Sequence, residues 1–145
     1  MQEQTNDTEL LNHIRKTTEM GQYGIHQVLG KTTSPELGQV LRQSSAAYGE
    51  LQKQADQLLL KTGGRAKSVP TAAKLASKMS AQMSAWREDA NSRIAGMMIK
   101  GDTTGLVKGM RYLRSYGKKD DPAGELTRQL LTAEQENIER MKRFL

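Results

Sequence analysis

The sequence predicts an all-α fold, a four-helix bundle with one long crossover. Three observations carry that reading. Five helix-sized segments are each punctuated at both ends; four are long, and the fifth lies in a 27-residue stretch between the second and third long ones. The composition is dominated by Ala, Leu, Lys, Gln, Glu and Met, residues that enter a helix at little cost. No β-rich alternating run of useful length interrupts them. At 145 residues the chain reads as a single domain, 1–145, long enough to bury a core.

The first helix is predicted from about Asp7 to Leu29. Asn6 followed by Glu9 resembles a capping box, and Gly30 is a natural stop. Leu10, Leu11, Ile14, Gly21, Ile25, Val28 and Leu29 share one face. The second helix opens on Ser34 as N-cap with Pro35 in the first helical position, and Gly63-Gly64 ends it. Its inward face carries Leu37, Val40, Leu41, Ser44, Tyr48, Leu51, Ala55, Leu58 and Leu59.

Residues 64–90 form the crossover. It begins with the basic loop Gly64-Arg65-Ala66-Lys67-Ser68, and Pro70 then starts a shorter helix, 70–87, bearing Leu75, Met79, Met83 and Trp86. Trp86 either docks this segment on the bundle or, if exposed, marks an interface.

The third long helix is expected over 92–116, capped by Asn91 or Ser92, with Ile94, Met98, Gly101, Gly105, Gly109, Tyr112 and Tyr116 aligned. Glycines at i, i+4 and i+8 permit close backbone approach, though each costs about 1 kcal/mol against Ala. A break at Gly101-Asp102 is the alternative. The fourth helix starts at Asp121-Pro122 and runs to the C-terminus through Leu126, Leu130, Leu131, Ala133, Ile138, Met141, Phe144 and Leu145. Short connections favour antiparallel pairing of first with second and third with fourth; the crossover lets the third run parallel to the second.

A helical wheel centres the apolar arc of the fourth helix almost on Glu134, with Asn137 in the same arc. Thr17, Thr18 and Gly21, Ser44 and Tyr48, and Gly101, Thr104 and Gly105 fall near the midpoints of the other inward faces. The expectation is a buried polar layer of Glu134, Asn137, Tyr48, Thr18 and Ser44, in which Tyr48 and Thr or Asn side chains hydrogen-bond the carboxyl, because an unpaired buried carboxylate is costly. The alternative is a rotated helix whose Glu134 reaches solvent.

Three short stretches carry a resemblance to a known family: Glu19-Met20-Gly21, residues 94–101 (IAGMMIKG) and residues 136–142 (ENIERMK). With the layout, which covers nearly the whole chain, they resemble ferritin-like proteins of the rubrerythrin and bacterioferritin type, and most closely a bacterial ferritin-like family of unknown function. The resemblance implies a ferritin-like four-helix bundle with a long helical crossover between the second and third helices, and no particular activity. The wider superfamily holds two metals on one Glu from each of two helices and Glu-x-x-His from the other two. Here the fourth helix has Glu134-x-x-Asn137, the second offers Ser45-x-x-Tyr48 with Glu50 facing outward, the third Thr104 or Gly105, and the first Thr17 or Thr18. His13 and His26 flank the apolar stripe of the first helix and read as solvated residues. No cofactor and no metal site are expected.

Other signals exclude more than they assign. Without cysteine there is no disulfide or thiolate site. No apolar run approaches a membrane span, and the polar, acidic stretch 1–8 does not resemble a signal peptide, so a cytoplasmic protein is expected. Gly30-Lys31-Thr32 and Gly63-Gly64-Arg65-Ala66-Lys67-Ser68 miss the spacing of a phosphate loop and follow no strand. Net charge is −2 over 1–60, +10 over 61–119 and −2 over 120–145. Arg65, Lys67, Lys74, Lys78, Arg87 and Arg93 head the basic stretch, joined by Lys100, Lys108, Arg111, Arg114, Lys118 and Lys119. They spread over several faces without a nucleic-acid motif, and a solvated surface accounts for them. Met79, Met83, Met97, Met98 and Met110 read as core packing, with an adaptable partner surface as the rival. The sequence therefore points to a non-enzymatic bundle acting through its surface, by self-association or by binding a protein, with the crossover and third helix as interface. Its rivals are a polyanion or nucleic-acid binder and a metal-binding oxidoreductase completed by another subunit.

Overall fold

The computed structural model describes residues 5–67, 83, 86, 89–117 and 120–145. Four long helices account for most of them: α1 (Asp7–Leu29), α2 (Pro35–Thr62), α3 (Ala90–Ser115) and α4 (Pro122–Lys142). No strand occurs among the described residues beyond an isolated bridge between Thr5 and Tyr116. No described helix is long and apolar enough to cross a membrane. The shorter helix expected over 70–87 lies largely outside the described residues, as do Lys74, Lys78, Met79, Arg87, Lys118 and Lys119.

Local chemistry explains three of the four starts. The Asn6 side chain accepts from Glu9 N–H at 2.9 Å, that of Ser34 from Leu37 N–H at 3.2 Å, and that of Asp121 from Gly124 N–H at 3.0 Å. Gly63 takes the left-handed conformation (φ 70°) that closes α2, and Gly64 N–H reaches back to the Leu59 carbonyl at 3.0 Å.

The start of α3 departs from the sequence reading. The helix begins at Ala90, two residues early, after Asp89 in a left-handed conformation with no side-chain cap. Asn91 is not a cap. Its Oδ1 accepts from Thr32 Oγ1 (2.7 Å) and Thr33 N–H (3.2 Å), and its Nδ2 donates to Thr33 Oγ1 (3.0 Å). The α1–α2 turn outcompetes the helix end for this amide. Downstream, α3 is continuous through Gly101-Asp102.

Pinned contacts give the helix directions. Asn12 near the start of α1 bonds the loop after α2, and Arg15 pairs with Asp56, so α1 and α2 are antiparallel. Asn91 joins the start of α3 to the turn that precedes α2, so these two run in the same sense. Glycine packing sets α3 against α4: Gly109 faces Leu131, and Gly105 faces Glu134, which makes this pair antiparallel. At one end the Tyr116 hydroxyl lies between the carboxylates of Asp7 and Asp121, which share its single proton, and so ties the start of α1 and the end of α3 to the start of α4.

The core is built mainly by α1, α2 and α4: Leu10, Leu11, Ile14, Ile25 and Val28 pack with Leu37, Leu41, Leu51 and Leu59 and with Leu126, Leu130 and Met141. The third helix contributes Ile94 and Ala95 at its start and then mostly glycine. Met83 is buried and Trp86 packs part-buried against the same core. That placement fits Trp86 as a docking residue.

Candidate functional site

The sparse inward face of α3 leaves space against α1. Gly21 and Gly24 on one side and Gly101 and Gly105 on the other border a cavity of about 420 Å³. A Cβ at Gly101 would meet nothing within 4 Å, which marks this residue as part of the opening. Met20, Ile25, Met97, Met98 and Met141 supply apolar walls, while Lys100 and Thr104 stand exposed at the rim.

Polar groups gather on the inner side. Ser44 Oγ donates to Asn137 Oδ1 at 2.8 Å; Asn137 Nδ2 donates to the Tyr48 phenol oxygen at 3.0 Å; Tyr48 in turn donates to Asp102 Oδ1 in a short bond. This relay links α2, α4 and α3. The spacing of Ser44 and Tyr48, one helical turn apart, puts both on one face. Gly21 makes the geometry possible, since a Cβ there would lie 2.7 Å from Tyr48 Cε2.

Glu134 stands one turn from Asn137 on α4, fully buried, and both carboxyl oxygens lack a hydrogen-bond partner among the described residues. The Tyr48–Glu134 bond expected from the wheel is absent for a simple reason. A phenol has one proton, and Asp102 takes it; Asn137 turns its amide to Tyr48 and its carbonyl to Ser44 and makes no bond to the carboxyl. Thr18 is buried, but its hydroxyl bonds back to the Ile14 and Arg15 carbonyls of its own helix. The structure thus brings Ser44, Tyr48, Asn137 and Glu134 together and leaves Thr18 outside the network.

The electrostatics follow from this arrangement. Burial, and secondarily the Asp102 charge, push the Glu134 carboxyl up to about 8. Burial pushes Asp102 up to about 6, against the Tyr48 hydrogen bond that favours its ionised form. Burial and the neighbouring Asp102 carboxylate hold the phenol proton on Tyr48. At neutral pH Glu134 is therefore a protonated acid on a cavity wall, beside an ionised Asp102.

Asp102 is the residue that sequence reasoning missed. It stands four residues after Met98 and three before Gly105, so the same wheel carries it on the inward arc of α3. His13 is a correction. It is not solvated but 7% exposed, because Gly109 leaves room for the imidazole, whose centroid lies 4.9 Å from the Tyr112 ring. Burial first, then Lys108 and Lys16, lower its pKa to about 4. His26 is exposed. Of the basic residues that head the charged stretch, Arg65, Lys67 and Arg93 are exposed, and the rest lie outside the described residues.

Among the described residues no three His, Cys, Asp or Glu side chains converge as a metal site. Comparison with family models, with curated proteins and with solved structures returns no match.

Proposed function

We propose that this chain is a ferritin-like bundle that works as a binding module, without catalysis, and that its working site is the α1–α3 cavity. The shared sense of α2 and α3 supports the ferritin-like connectivity, since a parallel pair requires a crossover along the bundle. The observation that carries the functional reading is the Glu134 carboxyl, without a hydrogen-bond partner among the described residues, on the wall of a cavity of about 420 Å³. A cavity of this size, mostly apolar with a few converging polar groups, suits a small organic molecule. Glu134 and Asp102 select its head: ionised Asp102 attracts an ammonium group, whose charge in turn favours loss of the Glu134 proton, so that the bound cation faces two carboxylates. The methionines then take an aliphatic or aryl body, which their flexible thioethers accommodate.

Hexylamine, hexanol and hexanoate test this against protein carrying labelled methionine methyls. Hexylamine is expected to shift the Met97, Met98 and Met141 methyl resonances at concentrations at least tenfold below hexanol, with the preference lost in Glu134→Gln. Equal response to all three compounds, or none, would overturn the reading.

A second reading is self-association. Val107 and Met110 on α3 are 41% and 55% exposed, one turn apart on the helix expected to form the interface. Sedimentation of the wild type against Val107→Glu decides it: a dimer that the variant abolishes supports the reading, and a monomer at all concentrations removes it.

A further inference from the structure

A second cavity, about 570 Å³, lies along the same helix pair, between the first half of α1, the loop after α2 and the last turns of α3. Its charge is unbalanced. Lys16 comes from α1, Lys67 from the loop, and Lys108 and Arg111 from α3. None of these four forms an ion pair among the described residues, whereas Arg15, Arg128, Arg140, Lys142 and Arg143 all do. The one carboxylate on the wall, Glu9, accepts from Asn6 Nδ2 in the cap of α1.

The convergence is built rather than incidental. Asn12 is 5% exposed, and its amide spans the loop backbone: Nδ2 donates to the Arg65 carbonyl and Oδ1 accepts from Lys67 N–H, both at 2.7 Å. Arg15 Nη1 adds a bond to the Lys67 carbonyl at 3.2 Å. These contacts fix the backbone that carries Lys67 over the helix pair. Like charges held near one another raise the free energy of the unliganded protein, and a bound anion relieves it.

His13 supplies the second, independent observation. It lines this cavity, it is more than nine-tenths buried, and its Nε2 lacks a hydrogen-bond partner among the described residues. Lys16 on its own helix and Lys108 on the facing helix are the charges that act on it, and Tyr112 covers its ring. An oxyanion held between Lys16 and Lys108 would offset the two charges that act on this buried ring, so the imidazole reports on the site.

We propose that this cavity binds a phosphate-type dianion, free or as a phosphomonoester, through Lys16, Lys67, Lys108 and Arg111. A guanidinium offers two parallel donors to such a group, and the ammonium groups act as point charges around it. The volume exceeds a bare phosphate, so the ester is the better occupant, its body lying against Tyr112 and the Thr8 side chain.

Nuclear magnetic resonance of the full chain, with His13 ring nitrogens as reporter, tests this. Inorganic phosphate, phenyl phosphate and a 20-nucleotide single strand are titrated at 20 mM and at 200 mM salt, with chloride alone as control. Saturable one-to-one binding of phenyl phosphate is expected, with His13 titrating above its resting value of about 4 because the anion offsets the lysines. Lys67→Ala and Arg111→Ala are expected each to weaken it about tenfold. Both residues are exposed, so folding is not at stake. Phosphate binding as tightly as phenyl phosphate would support the site with the free ion as its occupant. A His13 response equal to that of chloride, or binding untouched by both substitutions, would overturn the proposal. So would oligonucleotide binding that phenyl phosphate does not compete away, because that result describes a polyanion surface instead.

Discussion

Glu134 Oε2 occupies the space where residue 105 would carry a Cβ, and Glu134 Cδ lies only 3.2 Å from that position. Glycine at 105 is thus a requirement of the carboxyl on the neighbouring helix. Gly105→Ala is expected to destabilise the protein by about 1–3 kcal/mol through overpacking. In a Glu134→Ala background the closest of the remaining contacts is Thr17 Cγ2, 3.1 Å from the added methyl. There it is expected to be neutral or to stabilise by up to about 1 kcal/mol, the helix preference of alanine over glycine. Urea denaturation of the four proteins reads the cycle. Additive effects would mean that the two residues are not coupled.

The titration of the site predicts how stability changes with pH. The Glu134 carboxyl is raised from 4.5 to about 8, so its folded form keeps a proton that the unfolded chain releases. Stability from this group is full below pH 4.5 and is lost as pH rises through 8. Asp102, raised from 3.8 to about 6, behaves likewise over its own window. His13, lowered from 6.5 to about 4, acts in the opposite sense: its contribution is full above 6.5 and lost as pH falls through 4. The terms oppose one another between pH 4 and 6.5, and above 6.5 Glu134 dominates. Unfolding free energy is expected to fall by roughly 1–2 kcal/mol from pH 6.5 to 8, and Glu134→Gln to flatten that slope. A rise over this interval in the wild type would refute the assignment.

Much of this architecture was legible in the residues. Asn6, Ser34, Asp121 and Gly63 set helix limits by short-range chemistry that one sequence displays. The buried positions of Glu134, Asn137, Ser44 and Tyr48 follow from the 3.6-residue period. Partner choice did not follow, because a wheel gives a direction and not a distance. Tyr48 has Glu134 and Asp102 within its electrostatic reach, and the clearance over Gly21 orients its ring so that the phenol meets Asp102. Burial of His13 was hidden for a similar reason: room for the imidazole comes from the missing side chain at Gly109, on another helix. Asn91 looked like a cap and became a tether because its partners, Thr32 and Thr33, are 58–59 residues away.

Asn12 shows how one buried amide holds a loop. Its two 2.7 Å bonds satisfy the Arg65 carbonyl and the Lys67 N–H at once. Asn12→Ala is expected to cost about 1–3 kcal/mol and to release the loop before the helices. Exchange of the Lys67 amide proton should accelerate at least tenfold, while amides in the middle of α2 slow or speed only with global stability. An unchanged Lys67 rate would show that Arg15, through its 3.2 Å bond to the Lys67 carbonyl, suffices to hold the segment.

Asp102 and Glu134 form an unequal pair, and the inequality can be moved from either side. Burial is the larger cause of the Glu134 shift and the Asp102 charge the smaller one. Asp102→Asn is therefore expected to bring Glu134 below about 8 while leaving it well above the usual carboxylate range. Tyr48→Phe acts on the other member. It removes the hydrogen bond that favours ionised Asp102, so that carboxyl is expected to rise above about 6. With Asp102 then neutral over a wider range, Glu134 should titrate slightly lower in the same variant. Carbon-13 carboxyl shifts followed from pH 3 to 10 measure both groups in each protein. A Glu134 midpoint that ignores Asp102→Asn would mean that burial alone sets it, and the second negative charge would drop out of the account of why the cavity prefers a cation.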